Sequence, residues 1–332
     1  MRAMVLERTA PVEDEPLEAR DRSELRPEIG EVSIAVEACG VCRTDVHLAE
    51  GEVSTPLPVV PGHQVVGRVL ERGGGVESLR PGDVVGVGWV SATCGRCAFC
   101  VSGRENLCRR ARFTGRDRDG GYAEQMTAPE RAVYRLPPGF PAAKAAPLLC
   151  AGVIGYRTFK LSGIESGGKL GLFGFGASAH LVLQIARHAG CDVFVFTRTP
   201  AHREHALEMG AVWAGGSEDD PGILLDAAAS FAPAGAVIPQ ALRRLERGGT
   251  LAVNAIHMTP IPSFDFELLS GERAVRSVTN FTRQDALEFL DLAARIPLEP
   301  ETHEFPLRAA NEALSKVKRG QVRGAAVLVI RN

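Results

Sequence analysis

Cysteine is the residue type in this sequence with the clearest chemical pattern. Four of the eight cysteines fall within fifteen residues, spaced as Cys94-x2-Cys97-x2-Cys100-x7-Cys108. Gaps of two residues let a tight turn aim successive sulfurs at one point, and zinc prefers four tetrahedral ligands. Because four thiolates leave no position for water or substrate, the spacing predicts a structural zinc site. An iron–sulfur cluster, or free or disulfide-bonded cysteines, are the alternatives.

A glycine-rich segment in the second half of the chain has the pattern of a dinucleotide-binding turn. Gly174-x-Gly176-x-x-Ala179 follows an apolar run at 169–173 and opens a segment of helical periodicity at 178–189. The glycines permit the turn and the approach of a pyrophosphate, and a small third residue allows close helix–strand packing. The helix N-terminus adds N–H donors. Because such a pattern is weak by itself, an ordinary strand-to-helix turn is the alternative.

The residues after the next predicted strand bear on which dinucleotide binds. That strand ends in Phe196-Thr197-Arg198-Thr199, without an acidic residue to accept a hydrogen bond from the ribose of NAD. Asp192 comes five residues too early for that role. A guanidinium at Arg198 could instead bind a 2'-phosphate. We therefore expect NADP(H) to be favoured over NAD(H), and a solvated surface arginine is the alternative interpretation.

Two kinds of secondary structure are expected to position these groups. The first ~145 residues are punctuated by Pro and Gly and predict strands at 32–36, 65–70 and 84–87, as in a compact β-rich domain. Strands and helices then alternate, which predicts βαβ units and a parallel sheet. A helix at 238–245 is expected to end at Gly248-Gly249, and 325–330 to form a last strand.

The predicted fold class is α/β, with two domains. A doubly wound parallel sheet of the Rossmann type is expected over 149–294. A β-rich catalytic domain is expected to comprise 1–148 and 295–332 and to carry the cysteine loop at 94–108. The active site is expected in the cleft between the two domains.

Charge and hydropathy exclude several classes of partner. The 332 residues include 38 basic and 40 acidic side chains, so the net charge of -2 gives no reason to expect nucleic acid or an anionic membrane surface as a partner. The most apolar run, 145–155, is shorter than the ~20 residues needed to span a bilayer. No signal peptide is visible at the N-terminus. We therefore expect a soluble, cytoplasmic protein.

Several segments together resemble the zinc-dependent alcohol dehydrogenases of the medium-chain dehydrogenase/reductase family. Residues 40–47, Gly-Val-Cys-Arg-Thr-Asp-Val-His, are similar to the family's catalytic-zinc loop, and 61–64, Pro-Gly-His-Gln, to the loop with its histidine ligand. The cysteine loop, Gly-Gly-Tyr-Ala-Glu at 120–124 and the dinucleotide turn follow in the family's order. The chain is identified as a member of a bacterial branch near the cinnamyl-alcohol dehydrogenases. The resemblance implies a GroES-like fold for the β-rich domain.

The resemblance also implies a second, catalytic zinc. Its ligands would be Cys42, His63 and Cys150, with a fourth position open to water or substrate. Taken singly, a cysteine in an apolar run or a lone histidine is more often structural. Thr44 matches the hydroxyl that takes the alcohol proton, and His47 the relay to solvent. Asp45 matches the residue that orients the zinc histidine.

Other matched positions concern the cofactor and the substrate. Arg43 and Arg323 match residues that contact the cofactor pyrophosphate, and Trp89 matches a substrate-pocket aromatic. Gln64 departs from the family, in which many members carry Glu. The implied reaction is reversible hydride transfer between NAD(P)(H) and a primary alcohol/aldehyde pair. The implied components are two zinc ions per chain, a small-molecule substrate and a homodimer or homotetramer.

Two rival classes of protein are disfavoured. Zinc-free quinone or enoyl reductases of the same superfamily lack the cysteine loop and the zinc ligands. A zinc-stabilised regulator that binds nucleic acid would be expected to show a basic face. Cys39-x2-Cys42 imitates a thioredoxin-like redox pair, but the strand and helix context of that motif does not follow.

Overall fold

The computed structural model describes residues 1–255 and 257–330, and the chain divides into two compact units. The first unit comprises Met1–Ala151, Asn280–Arg295 and Glu299–Asn332. The second comprises Gly152–Thr279 and Ile296–Leu298. This division differs from the expected domain limits of 148/149 and 294/295 chiefly because 280–295 group with the first unit.

Within the described residues there are seventeen strands and nine α-helices. The strands are β1 (Arg2–Leu6), β2 (Leu17–Asp21), β3 (Glu31–Val41), β4 (Gln64–Arg72), β5 (Val84–Val87), β6 (Val90–Ala92), β7 (Arg112–Phe113), β8 (Gln125–Pro129), β9 (Val133–Arg135), β10 (Lys169–Phe173), β11 (Asp192–Phe196), β12 (Trp213–Gly215), β13 (Leu225–Ser230), β14 (Leu245–Val253), β15 (Ala274–Ser277), β16 (Thr302–Pro306) and β17 (Ala325–Val329). The helices are α1 (Arg43–Ala49), α2 (Ala98–Val101), α3 (Ala142–Ala145), α4 (Ala151–Ser162), α5 (Ala177–His188), α6 (Pro200–Glu208), α7 (Val237–Arg244), α8 (Arg283–Arg295) and α9 (Ala310–Arg319). None of these helices is long and apolar enough to cross a membrane.

The first unit is built on a seven-stranded sheet with β3 at its centre. The strand order is β16-β17-β3-β4-β5-β9, and β8 also pairs with β3. β3 is eleven residues long, twice the predicted segment, because its second half pairs with both β4 and β17. It buries Ile34 against a core that includes Met126 and Leu328. β3 ends at Val41, so the sheet fixes the position of Cys42, which follows it.

The second unit confirms the predicted doubly wound parallel sheet. All five strand pairings in the order β12-β11-β10-β13-β14-β15 are parallel, and the order runs outward from β10 in both directions. Alternate residues face opposite sides of the sheet. Leu172 packs in a cluster with Val182 of α5, whereas Phe173 stacks on Phe196 at 4.3 Å in a cluster with Ile238 of α7. The sheet is therefore covered by helices on both faces.

The predicted end of α7 is wrong. The helix ends at Arg244, and Leu245 is already extended with ψ 139°. Leu245 pairs with Leu225 of β13, so β14 begins there and contains both Gly248 and Gly249. The glycine pair therefore lies inside an irregular strand, because the pairing of a buried leucine outweighs the local signal for a helix C-terminus.

Candidate active site

Cys42, His63 and Cys150 converge in the first unit although they are distant in sequence. Their ligand atoms all lie within 4.8 Å of one another. Cys42 follows β3 and His63 precedes β4, and the pairing of Gly40 with Gln64 brings these two strand ends together. Cys150 is the residue before α4. The fold therefore brings together two thiols and one imidazole, which are groups that commonly bind zinc.

The surroundings of His63 fit a metal ligand. The side chain is fully buried, and its Nδ1 lies 3.2 Å from Oδ1 of Asp45. The second carboxylate oxygen of Asp45 accepts a hydrogen bond of 2.8 Å from the Cys42 N–H. Neither ring nitrogen has a hydrogen-bond partner among the described residues; Nδ1 faces the Asp45 carboxylate, and Nε2 faces no carboxylate. A buried imidazole that is oriented by a carboxylate and has an unpartnered second nitrogen is what a metal site requires.

The electrostatics of the three side chains also suit a cation. A hydrogen bond from Cys150 holds the pKa of the Cys42 thiol well below its usual value despite burial. The same hydrogen bond, together with burial, raises the pKa of Cys150. Burial alone would lower the pKa of His63, but the charge and hydrogen bond of Asp45, with Cys42, raise it to about 10. The donors therefore stabilise positive charge in a buried space, and a zinc ion fits that environment.

Thr44 and His47 lie beside this triad on α1. Thr44 is in the first turn, 3% exposed, with its hydroxyl oxygen 3.7 Å from the Cys42 sulfur. His47 lies three residues later and is buried, and its Nδ1 contacts the carboxylate of Glu52. Residues three apart share a helix face, so α1 presents the hydroxyl and the imidazole on one side.

Two aromatic side chains, Trp89 and Phe113, pack beside these three residues. The ring of Trp89 meets the ring of His63 edge-on, with centroids 4.8 Å apart, and stacks on Phe113 at the same distance. The guanidinium of Arg116 lies 5.6 Å from the Phe113 ring. Trp89 is therefore placed against a candidate zinc ligand. Phe113 could not be found from the sequence, because stacking between distant residues leaves no local pattern.

The four cysteines of the 94–108 loop form a second cluster. Their sulfurs all lie within 4.8 Å of one another, with Cys97 and Cys100 3.5 Å apart and Cys94 and Cys100 3.9 Å apart. A tetrahedron with Zn–S bonds of about 2.3 Å has edges of about 3.8 Å. In a four-iron cluster each thiolate binds a different iron, which would require wider spacing. The donor set therefore fits one tetrahedral ion.

Hydrogen-bond donors surround this loop. The Cys94 N–H points at the Cys108 sulfur, 3.4 Å away. A backbone hydrogen bond from Arg96, followed by the side chain of Arg110, lowers the pKa of Cys94 to about 5. Gly95 and Gly103 turn the loop with φ of +69°. These contacts favour the thiolate form of Cys94, whereas burial and the neighbouring thiol of Cys97 raise the pKa of Cys100 to about 11.

The dinucleotide turn has the predicted geometry in the second unit. Gly174 adopts φ +87°, and its N–H donates to the Phe196 carbonyl at 2.8 Å, which ties the turn to the end of β11. Gly176 is the N-cap of α5, and a Cβ there would meet nothing within 4 Å, so the backbone is open to a ligand. Ala179 is fully buried. The open glycine at a helix N-terminus fits a pyrophosphate.

Thr197 and Arg198 follow β11 directly beside this turn. Thr197 is buried and donates its N–H to Gly215, whereas Arg198 is exposed. Arg203 of α6 donates to both of their carbonyls, at 2.8 and 3.3 Å. The guanidinium of Arg203 therefore stabilises the backbone conformation of residues 197–198. Sequence reasoning missed Arg203, although a basic residue five positions after Arg198 was a visible signal.

Comparison with known proteins decides the family. Residues 28–138 match the family model described as the alcohol dehydrogenase GroES-like domain. The chain is 45% identical over 337 residues to a probable alcohol dehydrogenase of Mycobacterium tuberculosis, covering 99% of this chain and 97% of that protein. This chain belongs to the alcohol dehydrogenase family. The resemblance to zinc-dependent medium-chain enzymes is confirmed.

Solved structures place this alcohol dehydrogenase near the cinnamyl alcohol dehydrogenases. One from Sorghum bicolor is 28% identical, with a TM-score of 0.90 over 99% of this chain and 97% of the other. A CAD from Helicobacter pylori complexed with NADP(H) is 26% identical, with a TM-score of 0.88 over 99% of both chains. Similar structures are described with NAD as well as with NADP(H), so the fold alone does not choose the cofactor.

The remaining predicted residues of this alcohol dehydrogenase are found in the first unit. Arg43 is exposed at the start of α1 and donates to the Lys318 carbonyl at 2.7 Å. Arg323 pairs with Glu301 at 2.6 Å. Gln64 is buried and its side chain packs on Gly40; a Cβ at residue 40 would lie 2.8 Å from the Gln64 side chain. The residue next to His63 therefore has a neutral amide.

Proposed function

We propose that this alcohol dehydrogenase catalyses reversible hydride transfer between NADP(H) and a primary alcohol/aldehyde pair, assisted by zinc at Cys42, His63 and Cys150. The observation that carries the proposal is the convergence of these three donors, with an unpartnered His63 Nε2, beside Thr44 and His47. The three protein ligands leave a fourth coordination position for substrate, as in catalytic zinc sites.

Each side chain of the site has a distinct task in this reaction. A zinc ion held by Cys42, His63 and Cys150 would supply Lewis acidity at the substrate oxygen, and a dinucleotide held at the Gly174 turn would supply the hydride acceptor or donor. Thr44 takes the hydroxyl proton of the alcohol and His47 passes it outward, since an imidazole can accept a proton on one nitrogen and donate one from the other. Asp45 holds the ring of His63 through Nδ1, which leaves Nε2 for the metal. Trp89 limits the space next to His63.

We propose a second, structural zinc at Cys94, Cys97, Cys100 and Cys108, which makes two ions per chain. Four thiolates at tetrahedral spacing complete the coordination shell, so no catalytic role is assigned to this ion. Thiolate ligands also require a reducing environment, which supports a cytoplasmic location. Family membership supports assembly as a homodimer or homotetramer, with a small-molecule alcohol or aldehyde as the partner and neither nucleic acid nor membrane.

The first test is the initial rate of reduction of benzaldehyde, a generic aldehyde, with NADPH and with NADH. We expect a clear rate that is higher with NADPH, because the β11 end offers a guanidinium and no carboxylate to a 2'-phosphate. A rate mainly with NADH would preserve the dehydrogenase and overturn the cofactor proposal. The same assay without enzyme-bound zinc, after chelation, should show no turnover.

Substitution of Arg198 tests the cofactor proposal in the chain itself. Arg198→Ala is expected to raise the KM for NADPH about tenfold, because a charge-assisted hydrogen bond contributes about 1.5–3 kcal/mol. The KM for NADH should change little, since NADH lacks the 2'-phosphate. Arg243→Ala, which removes an exposed arginine of α7, is the matched control. Equal changes for both dinucleotides would contradict a role in phosphate recognition.

A further inference from the structure

Tyr122 is a fully buried tyrosine whose hydroxyl has no part in the proposed reaction. It lies in the Gly-Gly-Tyr-Ala-Glu segment at 120–124 and is 0% exposed. Its backbone is held on both sides, since the Tyr122 N–H donates to the Pro61 carbonyl at 3.0 Å and the Tyr122 carbonyl accepts the Met4 N–H at 2.8 Å. The ring is therefore fixed in the interior of the first unit.

The ring of Tyr122 packs against the residue that precedes His63. Gly62 adopts φ +96°, and a Cβ at that position would lie 2.3 Å from Cδ1 of Tyr122. Because glycine has neither a Cβ nor a penalty for this conformation, the phenol can approach the backbone closely here. Tyr122 therefore lies directly beside the segment that contains a proposed zinc ligand.

The hydroxyl of Tyr122 faces the carboxylate of Asp45. Burial, and then the charge of Asp45 with a weak hydrogen bond to it, raise the pKa of Tyr122 well above its usual value, so the phenol remains a donor. The contact is looser than a regular hydrogen bond, because neither the hydroxyl nor Oδ1 of Asp45 has a partner in hydrogen-bond geometry among the described residues. A buried donor thus lies beside a buried acceptor, and leaving both unpaired costs stability.

The burial of Asp45 explains why a further donor matters. Its side chain is 0% exposed, and burying a carboxylate costs free energy unless donors replace the lost water. The Cys42 N–H is one donor, at 2.8 Å, and Nδ1 of His63 faces the carboxylate at 3.2 Å. Both of these groups belong to proposed zinc ligands, whereas Tyr122 comes from a separate segment of the chain. The phenol can therefore hold the carboxylate in place independently of the ligands.

We propose that Tyr122 is a positioning residue that donates a hydrogen bond to Asp45 and so holds Asp45 against Nδ1 of His63, a role that rests on the zinc site of the proposed function. Asp45 then accepts three donors, which fix both of its oxygens relative to the imidazole. A fixed imidazole presents Nε2 in one orientation, so less ordering remains to be done when the metal binds. Phenylalanine in place of Tyr122 would keep the packing against Gly62 and remove only this hydrogen bond.

The test is the affinity of the proposed catalytic site for zinc in Tyr122→Phe. Enzyme loaded with zinc is titrated with the chelator dipicolinate, and the zinc that remains bound is measured. We expect the Kd of the ion at Cys42, His63 and Cys150 to rise about tenfold, since outer partners of metal ligands contribute about 10–100-fold to affinity. The ion in the 94–108 loop should keep its wild-type Kd. Equal retention of both ions by Tyr122→Phe and wild type would overturn the proposal.

Tyr134→Phe is the matched control, because it removes the hydroxyl of another buried tyrosine in the same unit. Tyr134 lies on β9, and its ring is 5.0 Å from the guanidinium of Arg283. We expect both zinc ions in this variant to keep their wild-type Kd. A similar loss of zinc in both variants would show a general effect of removing a buried hydroxyl and would contradict a specific role for Tyr122.

A double-mutant cycle with Asp45→Asn distinguishes action through Asp45 from an effect on packing. The amide of Asn can keep its oxygen for the Cys42 N–H, and its NH2 group cannot accept a hydrogen bond from the phenol. Tyr122→Phe should therefore cause no further loss of zinc in the Asp45→Asn background, whereas independent effects would add. Additive losses would refute the positioning role. Wild-type enzyme that binds both zinc ions without turnover would instead refute the dehydrogenase proposal and leave the assignment of Tyr122 intact.

Discussion

Cys42→Ala is expected to reduce turnover by at least about 10³-fold while the protein stays folded. Loss of one of three ligands weakens a Lewis acid that contributes several kcal/mol to the transition state. The fold should persist because the backbone at this point is fixed by β3 pairing with β4 and β17, independently of the thiol. The measurements are the rate of aldehyde reduction, the zinc content and the circular dichroism spectrum.

Cys39→Ala is the matched control for that variant. Cys39 lies three residues earlier on the same chain segment, is fully buried, and contacts the Gly40 carbonyl outside the ligand triad. We expect it to keep both zinc ions and most of the activity. If Cys42→Ala retained full activity, or lost its native circular dichroism, the assignment of Cys42 as a ligand in an open catalytic site would be wrong.

The features that the sequence predicted well depend on residues close together along the chain. The cysteine loop and the Gly174 turn each span fewer than twenty residues, so their spacing already constrains the geometry. The strand at 84–87 was predicted with its observed limits, because the Pro-Gly turn at 80–83 marks where the apolar run begins. Local signals of this kind need no knowledge of the tertiary structure.

The convergence of the three candidate zinc ligands could not be predicted from spacing. Cys42, His63 and Cys150 are brought together by the register of β3 against β4 and by the position of the residue before α4. That register is set by burial on the sheet faces, which no local pattern records. From the sequence, only the family resemblance predicted that these three residues form one site. The stacking of Trp89 on Phe113 and the contact of Glu52 with His47 depend on folding in the same way.

Cys97→Ala is expected to lower stability far more than substrate or cofactor binding. Removing one of four thiolates opens the coordination shell of a loop that has little apolar core of its own: within 94–108 only Asn106 and Cys108 are buried. Loss of a structural metal is expected to lower the free energy of unfolding by about 4 kcal/mol or more. For a unit of this size that corresponds to a fall of roughly 10 °C in Tm.

The prediction is checked by thermal unfolding and metal analysis of the variant beside Cys191→Ala. Cys191 is also buried, but it lies outside the loop and its thiol donates to the Glu165 carbonyl at 3.4 Å. We expect Cys191→Ala to retain both zinc ions and to shift Tm by a small fraction of the change in Cys97→Ala. Because Cys97 is not among the proposed catalytic ligands, the KM of the surviving Cys97→Ala enzyme below its Tm should stay near the wild-type value. An unchanged Tm would show that the loop holds its shape without the ion, and a structural role for that zinc would then be untenable.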